Sequence, residues 1–126
     1  AEVRALAGRR LLVGVSTHNL EQARAARLAG ADYCGVGPMF ETGTKAIERL
    51  AGPEYLREYL AMSPAPPHLA IGGITAERAA DLAAMGCRGV AVSSFVCGAS
   101  DPRGAAAALV ETMTGVVRPR ASAGAG

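Results

Sequence analysis

The sequence predicts an α/β fold made of parallel β/α units, and three observations carry that prediction. Short, continuous apolar runs alternate with helical stretches of about a dozen residues, the pattern of a parallel sheet covered on both faces. Hydroxyl and glycine residues gather just past the carboxyl end of each run. There is also a faint internal echo: a shift of 56 residues carries Glu21 onto Glu77, Ala23 onto Ala79, Gly30 onto Gly86 and Val36 onto Val92. Each copy reads as strand, capped helix, glycine stop and strand, as the quarters of a closed barrel would.

The elements follow in order. "AEVRALAG" at the start reads as the end of a helix, and "LLVGVS" (11–16) as a first buried strand. "THNLEQARAARLAG" reads as a helix, with Asn19 as N-cap, Gln22 in the capping-box position and Gly30 as the stop. "DYCGVG" (32–37) is the second strand and runs into "GPMFETGTK". "GPEYLREYLA" (52–61) is a helix with Pro53 in its first turn, and "SPAPP" (63–67) is a connector. "HLAIGG" (68–73) is the third strand; Thr75 then caps "AERAADLAAMG", which stops at Gly86. "GVAVSS" (89–94) is the fourth strand, and "DPRGAAAALVETM" (101–113) is a last helix opened by Asp101 and Pro102. One domain is expected over residues 1–116, with 117–126 a disordered tail that lacks any apolar period.

Bulk properties exclude several functions. The 126 residues are half apolar, enough for one core, and the net charge is +2. Arg residues are scattered and only five aromatics (three Tyr, two Phe) are available for base stacking, which argues against nucleic acid. Cys34, Cys87 and Cys97 are odd in number and far apart, with neither His at metal-ligand spacing, so they read as small buried hydrophobes in a reducing compartment. No apolar run approaches the ~18 residues of a membrane span and no signal-peptide core is evident, so a cytoplasmic setting is expected.

The chemistry is expected on the rim formed by the strand ends. The first strand ends in Ser16, Thr17 and His18, the third in Gly72 and Gly73, and the fourth in Ser93 and Ser94. In parallel α/β folds this face binds ligands, and glycine amides at helix N-termini suit phosphate. Core packing does not require donors at all four ends, so their coincidence predicts a phosphate-binding face. His18 reads either as a general base or as a structural donor, and His68, beside prolines, as a surface residue.

Taken together, "GVSTHNLEQARAARLAGADYCGVGPMFETGTK", "LAIGGIT" and "GVAVSSFVCGASDP" resemble the carboxyl-terminal half of thiamine phosphate synthase (thiamine-phosphate pyrophosphorylase), over roughly residues 3–110. The resemblance implies a fold that is half, about four β/α units, of a TIM (β/α)₈ barrel. It implies a transferase that joins a hydroxymethylpyrimidine diphosphate to a thiazole (carboxylate) phosphate and releases pyrophosphate. Carried over by position, Ser16 and Lys45 would hold the pyrimidine diphosphate and act in catalysis. Thr42, Gly43 and Thr44 would touch the thiazole phosphate beside the pyrophosphate, and Gly73, Ser93 and Ser94 would form the thiazole-phosphate pocket.

Two departures stand out. Glu41 occupies a position where the family often has Pro. The family's first half, with its basic pyrophosphate cluster and Mg²⁺-binding aspartates, has no counterpart here; Asp32 and Asp81 fall at a strand start and within a helix. The Mg²⁺ ligands are therefore expected in an absent amino-terminal half, and none in this chain. A barrel needs at least ~200 residues, and four strands leave two edges open. The expectation is a truncated product, or a half-barrel that dimerises or pairs with a separate first half. Two alternatives remain open: a thiazole tautomerase-like enzyme, which "TGTK" disfavours, and a non-catalytic phosphate-binding half-barrel.

Overall fold

A computed structural model describes residues 2–41 and 51–115. The first helix, α1, spans Glu2–Ala7 and is followed by β1 (Gly14–Thr17), α2 (Leu20–Leu28) and β2 (Tyr33–Val36). Next come α3 (Gly52–Ala61), β3 (His68–Ile71), α4 (Ala76–Ala84) and β4 (Val90–Ala91). A short helix α5 (Ser94–Cys97) and the longer α6 (Pro102–Thr114) complete the described chain. The four strands form one parallel sheet in the order β1-β2-β3-β4. The expected tail over 117–126 lies outside the described residues.

The two helices expected to echo one another do so. Asn19 Oδ1 accepts from the Gln22 N–H at 2.9 Å, and Thr75 Oγ1 accepts from the Arg78 N–H at 3.3 Å. Both helices then run nine residues. At the end of α2, Gly30 N–H donates to Arg27 O and Ala31 N–H to Ala26 O; at the end of α4, Gly86 N–H donates to Ala83 O and Cys87 N–H to Leu82 O. These are matched Schellman closures, and the left-handed φ of 86° at Gly30 and 105° at Gly86 is why glycine stands at each. One detail differs from the expected capping box: Gln22 Oε1 accepts from the His18 N–H, one residue before the cap.

Register fixes two unlike faces of the sheet. Thr17, Cys34, Val36 and Ala70 are buried beneath the helices, against Ala23, Leu56, Tyr59, Ala79 and Leu82. On the alternate positions Gly14, Ser16, Leu69 and Ile71 are exposed, Ile71 by 49%. The expectation of two covered faces is thus corrected among the described residues. Strands in sequential order with right-handed crossovers send every connecting helix to one side, so the other side stays open.

Further corrections concern ends. Leu11 and Leu12 precede β1 and are 64% and 81% exposed, so the first strand is shorter than its apolar run. The fourth strand is only two residues long, because Ser94 already begins α5, a helix the sequence did not signal. Cys34 and Cys87 are buried and free, as their reading required, but Cys97 is exposed. Among the described residues no helix is long and apolar enough to cross a membrane.

Candidate functional site

Two backbone connections build the rim. After β2, Pro38–Glu41 turns across the end of β3: Met39 N–H donates to Ile71 O at 2.9 Å and Phe40 N–H to Gly72 O at 3.0 Å. After β3, Gly72 and Gly73 take left-handed φ values of 111° and 61°. A β-carbon on Gly72 would lie 2.9 Å from Met39 N and Pro38 Cα, and one on Gly73 would lie 2.7 Å from Glu41 O and 2.8 Å from Phe40 O. Close passage of the 38–41 segment therefore accounts for both glycines before any ligand is invoked.

A cavity of about 590 Å³ opens between these connections and the start of α5. Gly73, Ser93 and Ser94 line it, together with Glu41, Thr75 and Arg78. Three of the residues expected to bind phosphate thus share one cavity. Ser16 does not line it; that residue lies on the open face of β1, next to Gly35. Thr42, Gly43, Thr44 and Lys45 lie outside the described residues.

Arg78 is the site feature that the sequence reading missed. Its Nη1 donates to Gly73 O at 2.7 Å, and its guanidinium carbon sits 5.0 Å from the centre of the Phe40 ring. It occupies the third helical position after the cap Thr75, where a long side chain turns back over the helix N-terminus toward the rim. That spacing was the available signal.

The histidines fall elsewhere. His18 lines a separate cavity of about 660 Å³ with Asn19, Glu54, Tyr55 and Glu58, and its Nδ1 lies 3.2 Å from Gln22 Oε1. His68 is half-buried, which corrects its reading as a surface residue. Its Nε2 accepts from the Arg88 N–H at 3.1 Å and its ring meets Tyr59 edge-on at 5.8 Å. Burial, helped by the Arg88 charge, holds its pKa below the ordinary value of 6.5.

Two networks hold the frame. Thr17 Oγ1 donates to Gly35 O at 2.7 Å and so takes its bond with Tyr55 from the phenol hydroxyl, tying β1, β2 and α3 together. Burial keeps the Tyr55 phenol above its usual pKa. Asp32, at the amino end of β2 and away from the rim, pairs with Arg4 and accepts from the Val13 N–H. The Arg4 hydrogen bond, with that of Val13, holds its carboxyl below the usual range. Among the described residues no group of three or more His, Cys, Asp or Glu is arranged to hold a metal ion.

Fold and site together define a class: a parallel α/β chain whose connections after β3 and β4 bring Gly73, Ser93 and Ser94 to one cavity. The family model described as thiamine monophosphate synthase matches residues 1–96. A thiamine-phosphate synthase of Geobacillus kaustophilus is 46% identical over 103 residues, covering 81% of this chain and 47% of that protein. One from Geobacillus thermodenitrificans is 46% identical over 99 residues, covering 78% and 45%. The solved structure of a thiamine phosphate pyrophosphorylase from Pyrococcus furiosus superposes with a TM-score of 0.78 at 36% identity, covering 93% of this chain and 55% of that one. The chain belongs to the thiamine monophosphate synthase family. It spans about half the length of these curated relatives.

Proposed function

We propose that the chain is the carboxyl-terminal half, residues 1–116, of a thiamine phosphate synthase barrel and carries its thiazole-phosphate pocket. The observation that carries this reading is the shared cavity of Gly73, Ser93 and Ser94 at the ends of β3 and β4. In support, sequential parallel strands with helices on one side are what an arc of a (β/α)₈ barrel would present, and in such barrels the phosphate site sits after the last two strands. Completion of the arc then takes an amino-terminal half-barrel or self-association.

In the reaction so assigned, the bond from the pyrimidine methyl carbon to the diphosphate oxygen breaks, and its electron pair leaves with pyrophosphate. The thiazole nitrogen lone pair then forms the new carbon–nitrogen bond. Donors around the diphosphate oxygens lower the barrier by stabilising charge that develops as the bond lengthens, which is the role read for Ser16 and Lys45. The rim's task is orientation: a thiazole phosphate fixed by Gly73, Ser93 and Ser94 presents its nitrogen in line with the cation. Family membership implies Mg²⁺. The described residues do not fit a metal site, and its ligands are expected in the amino-terminal half. A cytoplasmic setting accompanies this reading.

The test mixes the 126-residue chain with the amino-terminal half of the Geobacillus kaustophilus relative, both substrates and Mg²⁺, and follows thiamine phosphate. Turnover by the pair is expected. Lys45→Ala in the pair should lower the chemical step by about 10²-fold or more, as removal of a transition-state donor does, while thiazole phosphate binding stays within twofold. Thiazole phosphate binding without turnover by any combination would make the chain a binding module. Isomerisation of a thiazole carboxylate phosphate without the pyrimidine substrate would make it a tautomerase.

A further inference from the structure

We infer that Arg78 carries positive charge into this cavity: its guanidinium takes the phosphate of the thiazole substrate and offsets Glu41, which lines the same cavity. The inference rests on the phosphate reading of the cavity given above.

Four observations support it. First, the guanidinium is held from two sides, by Gly73 O at 2.7 Å and by the face of Phe40 at 5.0 Å. It belongs at once to the connection after β3 and to the one after β2, two of the segments that bound the cavity. Second, the hydrogen bond to Gly73 uses one of the five N–H donors of an arginine, and the fork of the rest is rigid and planar, suited to two oxygens of a phosphate. Third, Arg78 and Glu41 line one cavity without forming an ion pair with each other, whereas Arg4 and Asp32 do form one. The arginine charge is therefore not cancelled by the carboxylate that lines the same cavity. Fourth, among the described residues the other donors that line the cavity, Thr75, Ser93 and Ser94 with the backbone of Gly73, are neutral. A hydrogen bond in which one partner is charged is roughly twice as strong as a neutral one.

Glu41 gives the arrangement its logic. A dianionic phosphate entering a cavity walled by a carboxylate meets like-charge repulsion, and hydroxyls do not remove it. A guanidinium already anchored on the same rim does so at little cost in side-chain entropy. Arg78 is thus a specificity residue: it makes the pocket select the phosphorylated thiazole over the free alcohol.

Calorimetry on the full chain tests this with two probes, hydroxyethylthiazole phosphate and the unphosphorylated thiazole alcohol. Arg78→Gln should weaken the phosphate probe by about tenfold or more while leaving the alcohol within twofold, because the lost term is the charged hydrogen bond. Arg78→Lys should fall between, keeping charge but not the fork. Glu41→Gln should tighten the phosphate probe, and the Arg78→Gln/Glu41→Gln double variant should recover part of the loss. A structural arginine would not show that recovery. Circular dichroism melts of each variant separate unfolding from lost affinity. If the wild type binds the phosphate and Arg78→Gln binds it equally well, this inference fails and the pocket reading stands. If the wild type prefers neither probe, both fail together.

Discussion

At His68 the consequence of burial is a pH dependence. Nε2 accepts from the Arg88 N–H, so the bond exists only while that nitrogen is unprotonated. The folded pKa lies below the ordinary 6.5, so on acidification the unfolded chain takes up the proton first. Stability from this residue is full above pH ~6.5 and is lost as pH falls from there toward the folded pKa. The stability gap between wild type and His68→Gln, from urea unfolding, should narrow between pH 7.5 and pH 5. A gap independent of pH in that window would show that the imidazole is not held neutral by the fold. Asp32 acts in a different window: its carboxyl is held down by Arg4 and Val13, so its contribution is lost only below the ordinary carboxylate value of 3.8. Single residues were the hardest scale to read from sequence. Gly72 and Gly73 were legible as glycines near a site, yet the reason for them is the 38–41 backbone passing overhead, a contact between chain segments that local pattern cannot show.

Among the elements, the two nine-residue helices were the most legible, because their signals are local. An Asx or Thr side chain bonding three residues ahead and a glycine at the stop are fixed by the helix's own geometry. Asn19→Ala and Thr75→Ala should each destabilise the fold by ~1 kcal/mol and add when combined, since the caps serve different helices. Chemical denaturation of the single and double variants measures this; a double variant no worse than either single would mean that one helix end does not matter to the cooperative unit. Strand ends were legible only to within two or three residues. Leu11 and Leu12 continue an apolar run that the sheet does not use, and the turn into α5 cuts short the run "GVAVSS". The cavity's serines and Gly73 followed from the rule that parallel strands aim their ends at ligands. Arg78 did not, because a charge inside a helix reads as solvated until its side chain is seen folded back onto Gly73.

For the whole molecule the decisive fact is the asymmetry of the sheet. One face carries the core, and the other leaves Leu69 and Ile71 in water, 37% and 49% exposed, while β1 and β4 are the sheet's edge strands. A closed barrel turns such a face inward and removes both edges. In the half-barrel reading these features are contact surfaces awaiting further strands. That reading predicts association that grows with concentration when the 126-residue chain is studied alone, seen by sedimentation velocity over a hundredfold range. Ile71→Asp puts a carboxylate on the open face and leaves the buried face untouched, since Ala70 and not Ile71 packs beneath the helices. It should therefore reduce association sharply while the helical circular dichroism signal remains. The loss should be partial for Ser16→Asp, which lies on the same face but replaces a polar group. A chain that stays a folded monomer at every concentration, with Ile71→Asp indistinguishable from wild type, would mean that the open face is solvated by design, and the half-barrel reading would then lose its physical basis.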